Sequence, residues 1–406
     1  MDPVQNPFSP GAGTPPPELA GRVELLEEAR IMVGRALHGR STQGMLLTGL
    51  RGVGKTVVLN EVMRMAEDQG VLPVYIEVTA ETSLSEMLAP ELKKLFFTLN
   101  RMAGAKEKVK KGIVVLRNFI GTVHVNIGDI GLDIEPFAGI ADSGNIENDL
   151  ADLLECVAEA AKEKQRAVLL LVDEVQYLPM KELSALIMAF HRLQQRRLPF
   201  AVMGAGLPML AGLAGKSKSY AERLFLFPEV GALTFDATKQ AIGSPFCASR
   251  VQIAPKALER VYKLSCGYPY FIQEWGYQMW NRVTSGKVTV GDVDAVREKV
   301  EKRLDANFFR VRLERLTAGE RDFLFAMSDC QGTVRLGDVA KVLGTSVTTI
   351  SKRRASLLAK GMIYSPAYGE IAFTVPMFAE FLRRTSILWD ASMSDTSRQF
   401  GRACPP

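Results

Sequence analysis

Residues Gly49 to Thr56 read Gly-Leu-Arg-Gly-Val-Gly-Lys-Thr, which fits the spacing G-x-x-x-x-G-K-[ST]. The chemistry of such a segment is phosphate binding. Gly49, Gly52 and Gly54 let the backbone turn tightly, so that the N–H groups around Arg51 and Val53 can point at phosphate oxygens. The start of the following helix adds positive partial charge. Lys55 can reach the β- and γ-phosphates, and the Thr56 hydroxyl can ligate Mg²⁺.

A second segment complements the first. Residues 167–174 read Ala-Val-Leu-Leu-Leu-Val-Asp-Glu. A continuous apolar run marks a central parallel strand buried on both faces. Its C-terminal end should open onto the ligand crevice. Asp173 is the expected metal-side acid, and Glu174 is placed to orient or deprotonate an attacking water. Taken alone, the segment also reads as a buried strand capped by two acids. The loop at Gly49 favours the nucleotide site, and the second acid argues for hydrolysis as well as binding.

These residues need a strand, a turn and a helix to hold them. Met45-Leu46-Leu47 supplies the apolar run before the loop, and Val57 to Met63 has helical periodicity after it. Leu19-Ala20-Gly21-Arg22 leads into a helix over Val23–Leu37. Further strands are expected at Val71–Val78, Phe200–Met203 and Gly231–Phe235. About 90 residues separate the second strand from the acid strand, more than one crossover needs. An insert is therefore expected at about 84–147: a basic helical stretch over 84–120, a hairpin over 122–135 around a Gly-Asp turn, and a returning helix over Asp142–Ala161.

The outer segments follow the same logic. Residues 1–18 are rich in Pro and Gly and read as an extended arm. The core spans 19–235, and 236–300 reads as a helical lid. Residues 301–390 form a separate unit, followed by a tail over 391–406. In that unit, helices at Leu316, Leu336–Leu343 and Ser346–Lys360 precede a hairpin through Tyr368-Gly369-Glu370, a winged-helix pattern.

Composition excludes little. The chain has 406 residues and a formal charge of +5, which neither demands nor forbids nucleic acid. Its five cysteines are scattered, with no C-x-x-C; this suits a reducing, cytoplasmic setting and provides no zinc framework. No apolar run is long enough to span a membrane. The N-terminus lacks the basic and apolar regions of a signal peptide.

The loop at Gly49–Thr56 and the Asp173-Glu174 strand together resemble the AAA+ class of P-loop ATPases, especially its origin-recognition/initiator-like branch and related archaeal-type ATPases. The resemblance runs from Leu19 to about Arg384. It implies an α/β P-loop core with a helical lid and a C-terminal winged helix, and it implies ATP and Mg²⁺ as ligands. Gly21-Arg22 looks like the segment that packs near the adenine. Tyr220 to Phe225, followed by Leu233-Thr234-Phe235, looks like the motif carrying an arginine finger. That makes Arg223 a candidate for stabilising transferred charge in an oligomer, with an ordinary surface arginine as the alternative. Three departures stand out, one of them the insert before Asp173, which has no counterpart in the minimal module. The strand ending at Gly204 lacks the usual polar first-sensor residue, for which Gln176 is a possible substitute. Gly267-Tyr268-Pro269 occupies the place of a second-sensor arginine and looks more like the signalling STAND ATPases, where the proline packs on adenine. Pro269 could equally be a plain helix start.

The helix over 346–360 carries Thr348, Thr349, Ser351, Lys352, Arg353, Arg354 and Lys360. Short hydroxyls at its start and bases further along suit phosphates and groove edges. Thr349, Lys352, Arg353 and Arg354 are the candidate contacts to duplex DNA, and residues 301–390 carry 14 Lys/Arg against 10 Asp/Glu. The same face could instead serve protein contacts. The lysines between 93 and 111 read as a solvated helical face. The expectation is an Mg²⁺-dependent ATPase, DNA-associated and able to form homo-oligomers, with a STAND-like signalling switch as the alternative.

Overall fold

The computed structural model describes residues 1–11, 13–79, 81–102, 106–122, 140–283, 286–330 and 333–385. They form two compact units: Gly21–Gly49 with Val53–Gly231, and Met1–Ala20 with Leu50–Gly52 and the chain from Ala232.

The first unit is built on a parallel sheet. Its strands are β1 (Gly44–Thr48), β2 (Leu72–Glu77), β3 (Val168–Asp173), β4 (Phe200–Gly206) and β5 (Phe225–Leu226), in the order β2-β3-β4-β1-β5. Every pairing is parallel. The whole of β1, β3 and β4 is buried, which explains why these segments are apolar without alternation. The flanking helices are α1 (Val23–Leu37), α2 (Lys55–Asp68), α3 (Leu84–Arg101), α4 (Lys106–Thr122), α5 (Ile146–Glu163), α6 (Met180–Gln195), α7 (Leu210–Ser217) and the single turn α8 (Ala221–Leu224).

The fifth strand is a correction. It lies at Phe225–Leu226, not at 231–235, pairing with Gly44 and Met45. Glu229 adds one bridge to Thr48. A two-residue strand has too few side chains to show a pattern. Residues 231–234 instead lead into a helix capped by the Thr234 hydroxyl.

Among its described residues the insert contains the helices α3 and α4. α4 packs on α3 and α5, burying Val109, Val115, Leu116 and Phe119. Ser83 begins α3 with a reciprocal capping box to Glu86, a device that satisfies two orphan donors. Lys94 pairs with Glu91 at 2.6 Å and Lys108 with Glu159 at 3.8 Å, in keeping with a solvated face. The hairpin expected over 122–135 falls outside the described residues, apart from its first residue at the end of α4.

In the second unit, α9 (Phe235–Ala248), α10 (Pro255–Ser265), α11 (Pro269–Arg282) and α12 (Val290–Leu304) accompany a short parallel pair, β6 (Gln252–Ile253) and β7 (Lys287–Val288). The N-terminal segment packs among them and is no free arm. Phe8 is buried against Phe246 and Trp280. It fits because position 276 is glycine: a Cβ there would lie 2.4 Å from the Phe8 ring. Asn6 Nδ2 donates to the Tyr277 carbonyl at 3.1 Å, and Trp280 Nε1 donates to the Asp2 carbonyl at 3.0 Å.

After α12 come one π-helical turn, Asp305–Arg310, and α13 (Val311–Glu314). Three helices and a small sheet follow: α14 (Ala318–Asp329), β8 (Val334–Arg335), α15 (Leu336–Val342), α16 (Val347–Ala359), β9 (Ile363–Tyr364) and β10 (Glu370–Phe373). The sheet is antiparallel in the order β8-β10-β9. Helix α14 starts with a capping box between Thr317 and Glu320. The buried Glu320 carboxylate also accepts from Lys360 Nζ at 2.7 Å and Ser356 Oγ at 2.6 Å. Burial raises the Glu320 pKa, but the hydrogen bonds from Lys360, Ser356 and Thr317 outweigh it and bring it to about 2. A depressed carboxyl stabilises the fold above its unfolded pKa, and that contribution is lost as pH falls toward the folded value. Glu320→Gln is therefore expected to lower stability at pH 7 by about 1–2 kcal/mol, discounted for the part-exposed Lys360. Denaturant melts of both proteins should show the gap closing between about pH 4.5 and 2; a gap independent of pH would refute the ionic account.

Candidate nucleotide site

The loop leaves β1 at its C-terminal end, where ligands of open parallel sheets bind. Gly49 N donates to the Gly206 carbonyl at 3.2 Å, and Val230 N donates to the Thr48 carbonyl at 2.7 Å. The chain around Val230 comes so close that a Cβ on Gly49 would lie 2.2 Å from the Val230 carbonyl oxygen. Only glycine fits there. Gly54 precedes α2 in the left-handed region, at φ 94°. Its carbonyl accepts from Val58 N at 3.0 Å, starting the helix and leaving the preceding amides to the loop.

Lys55 is buried, and its Nζ donates to the Gly49 carbonyl at 2.9 Å. Thr56 Oγ1 donates to Asp173 Oδ2 at 2.6 Å. The loop and the acid strand are thus brought together although β4 stands between β1 and β3. Asp173 also accepts from Glu174 N at 2.8 Å and from the Tyr75 hydroxyl at 3.3 Å. Burial raises the Asp173 carboxyl above the usual carboxylate range, opposed by the hydrogen bond from Thr56. Burial and the nearby Asp173 push the Tyr75 phenol up as well. Tyr75 is a site residue that periodicity alone could not reveal. Its signal lies in the β2–β3 register, which sets Tyr75 opposite Leu171, two residues before Asp173.

Glu174 has left-handed backbone angles, φ 54° and ψ 38°, uncommon for a residue with a side chain and frequent at functional sites. Its carboxylate accepts a short hydrogen bond from Gln176 Nε2. Gln176 Oε1 in turn accepts from Leu207 N at 3.0 Å. Gln176 therefore ties the catalytic candidate to the end of β4, where the first-sensor strand lacks a polar side chain.

Arg22 lies beside the loop. Its guanidinium donates to the Val53 carbonyl at 3.2 Å and the Gly231 carbonyl at 2.5 Å, bracing the loop's backbone. Arg223 is exposed on α8, and no side-chain hydrogen bond or ion pair holds it among the described residues. Pro269 is the first residue of α11, a position where its missing N–H costs nothing.

The tip of the loop, Leu50–Gly52, groups with the second unit. There the Tyr268 ring lies against Gly52, whose φ is +81°; a Cβ at this glycine would sit 3.0 Å from the ring.

The comparisons with known proteins agree with this geometry. Residues 18–203 match the AAA ATPase domain family. A solved structure, the Walker-type ATPase of Pyrococcus abyssi, aligns with a TM-score of 0.55 at 16% identity, over 88% of this chain and 95% of that one. Residues 18–203 are thus an AAA ATPase domain. The C-terminal part of the chain, residues 306–382, matches a domain of unknown function, DUF8462. An uncharacterized HTH-type transcriptional regulator of Methanocaldococcus jannaschii is 23% identical over 86% of this chain and 84% of its own length. The Aeropyrum pernix Orc1 protein, solved in complex with DNA, aligns at 15% identity with a TM-score of 0.45, over 92% of this chain and 95% of that one. Among the described residues, no helix is long and apolar enough to cross a membrane.

In the C-terminal domain, Thr349 and Lys352 are exposed on α16. Arg353 packs over Gly319, with Nε 2.8 Å from where a Cβ would be, and Arg354 donates to Ser365 Oγ at 2.9 Å. Lys360 is committed to Glu320.

Proposed function

We propose that this ATPase is Mg²⁺-dependent, that its cycle resets the lid and the C-terminal domain, and that this domain is a winged helix binding duplex DNA. The observation that carries the catalytic part is the 2.6 Å hydrogen bond between Thr56 and Asp173. It sets two hard oxygen donors side by side, the donor type that Mg²⁺ selects. These two residues would hold the metal. When bound, Mg²⁺ neutralises charge on the β- and γ-phosphates and orients them.

The chain's own residues supply the rest. Lys55 and the loop amides hold the phosphates. Glu174, fixed by Gln176, orients the attacking water in line with the γ-phosphate and accepts its proton. Arg22 keeps the loop in shape through Val53. Arg223, exposed and uncommitted among the described residues, is available to the phosphates of a neighbouring copy in a homo-oligomer.

Support for the DNA role comes from the element order helix, strand, two helices and two strands, with the exposed Thr349 and Lys352 on α16. Lys352→Ala is expected to weaken duplex binding several-fold and to lower the salt slope by about 1. A fluorescence-anisotropy titration at several salt concentrations reads both. No duplex affinity even at low salt would decide for the second reading, a nucleotide-controlled signalling switch. That reading is favoured by Arg354, whose guanidinium donates to Ser365 within its own domain, and by Arg353, which packs over Gly319.

A further inference from the structure

The C-terminal domain holds a cleft that has no part in the nucleotide site. Its volume is about 500 Å³, within the range of small-molecule sites. Its walls come from the end of α14, from β8 and β10, and from the helical residues 378–385. All of these lie in the second compact unit. Met327, Val334, Ile371 and Phe373 supply apolar surface, and the charged groups among the described lining residues are Glu370 and Arg383. Met327 and Ile371 are each 2% exposed, and the Phe373 ring meets Phe378 edge-on with centroids 5.6 Å apart. The floor of the cleft is thus anchored in the domain core.

The two charges are held differently. Arg383 Nε donates to the Ser328 carbonyl at 2.7 Å, which fixes the plane of the guanidinium. A guanidinium has five N–H donors, enough to serve that carbonyl and a carboxylate together. Glu370 is partly buried at the start of β10. No hydrogen bond or ion pair occupies its carboxylate among the described residues, although Arg335 stands opposite it on β8. A partly dehydrated carboxylate without donors is costly, so the cleft favours a ligand that brings them. The charge balance narrows the class. A monocation would satisfy Glu370 but face Arg383, and a monoanion would do the reverse. A dipolar ion satisfies both. The apolar floor asks for an apolar body beside the two charges, and Phe373 offers a ring for an aromatic one to pack on.

We propose that this cleft binds a free α-amino acid with an aromatic side chain. Its carboxylate pairs with Arg383, its ammonium with Glu370, and its side chain lies on Met327, Ile371 and Phe373. The site stands independently of the nucleotide and DNA readings. Strand β10 follows directly on the turn at Tyr368-Gly369. A bound amino acid therefore ties the return strand of that turn to α14 and to residues 378–385, and occupancy stiffens the small sheet.

The test is calorimetric titration of the full chain with L-phenylalanine, beside two half-ligands. These are hydrocinnamate, which lacks the ammonium, and phenethylamine, which lacks the carboxylate. L-Phenylalanine should bind with a Kd of about 1 mM or tighter. Each half-ligand should bind at least about 10-fold more weakly, the loss expected for a charged hydrogen bond. Glu370→Gln and Arg383→Gln should each weaken L-phenylalanine by about 10- to 100-fold. Arg383→Gln also gives up the bond to Ser328, whereas Glu370→Gln breaks no side-chain contact among the described residues, so its loss reads the ligand and not the fold. Hydrocinnamate should lose no affinity in Glu370→Gln. No binding of L-phenylalanine at millimolar concentration would overturn the proposal. So would half-ligands that bind as tightly as the amino acid, because the cleft would then be an apolar crevice only. Unchanged affinity in either variant would overturn it too, because the ligand would then sit elsewhere.

Discussion

Lys55→Ala is expected to lower ATP affinity by at least about 100-fold, a loss of the size seen when one partner of a buried charged contact is removed. The lysine is buried and held by the Gly49 carbonyl at 2.9 Å. It is therefore pre-positioned beside the loop amides, and little side-chain freedom is lost when phosphate arrives. Shortening it to alanine removes the charge and leaves the amides to hold the phosphates alone. The effect should cover ADP as well, because a lysine of this loop reaches the β- as well as the γ-phosphate. Titration with a fluorescent ATP analogue, beside a thermal melt showing that the variant folds, checks the expectation. Affinity within about threefold of wild type would remove Lys55 from the site.

Glu174→Gln should separate binding from turnover. The amide keeps the shape but cannot accept a proton, so kcat should fall by roughly 10²- to 10⁴-fold. ATP affinity should stay near wild type, because Glu174 approaches the water and not the nucleotide. The left-handed backbone at Glu174 and the bond from Gln176 make the position hard to replace. A neighbouring acid moved into place would not share this geometry. Single-turnover hydrolysis with bound ATP gives the chemical step directly. A variant that hydrolyses at the wild-type rate would show that another group activates the water.

How much of this was legible beforehand depended on the length scale of the signal. The phosphate loop and the acid strand were readable because each is a contiguous run whose residue types are dictated by one function. Helix α14 was readable from its cap at Thr317. The fifth strand was misplaced because two residues, Phe225 and Leu226, carry no periodicity; their pairing with Gly44 and Met45 is a tertiary choice. The docking of the N-terminal segment was missed for a similar reason. It depends on Phe8 meeting the bare backbone at Gly276, two positions far apart in sequence. The bonds of Arg22 to the Val53 and Gly231 carbonyls belong to folded geometry that a linear motif does not encode.

The most direct test of the central claim is phosphate release from ATP by the full chain, wild type beside Glu174→Gln, each with Mg²⁺ and with excess EDTA. The account predicts release by the wild type with Mg²⁺, and near-background release with EDTA or in the variant. Equal release under all four conditions would contradict it.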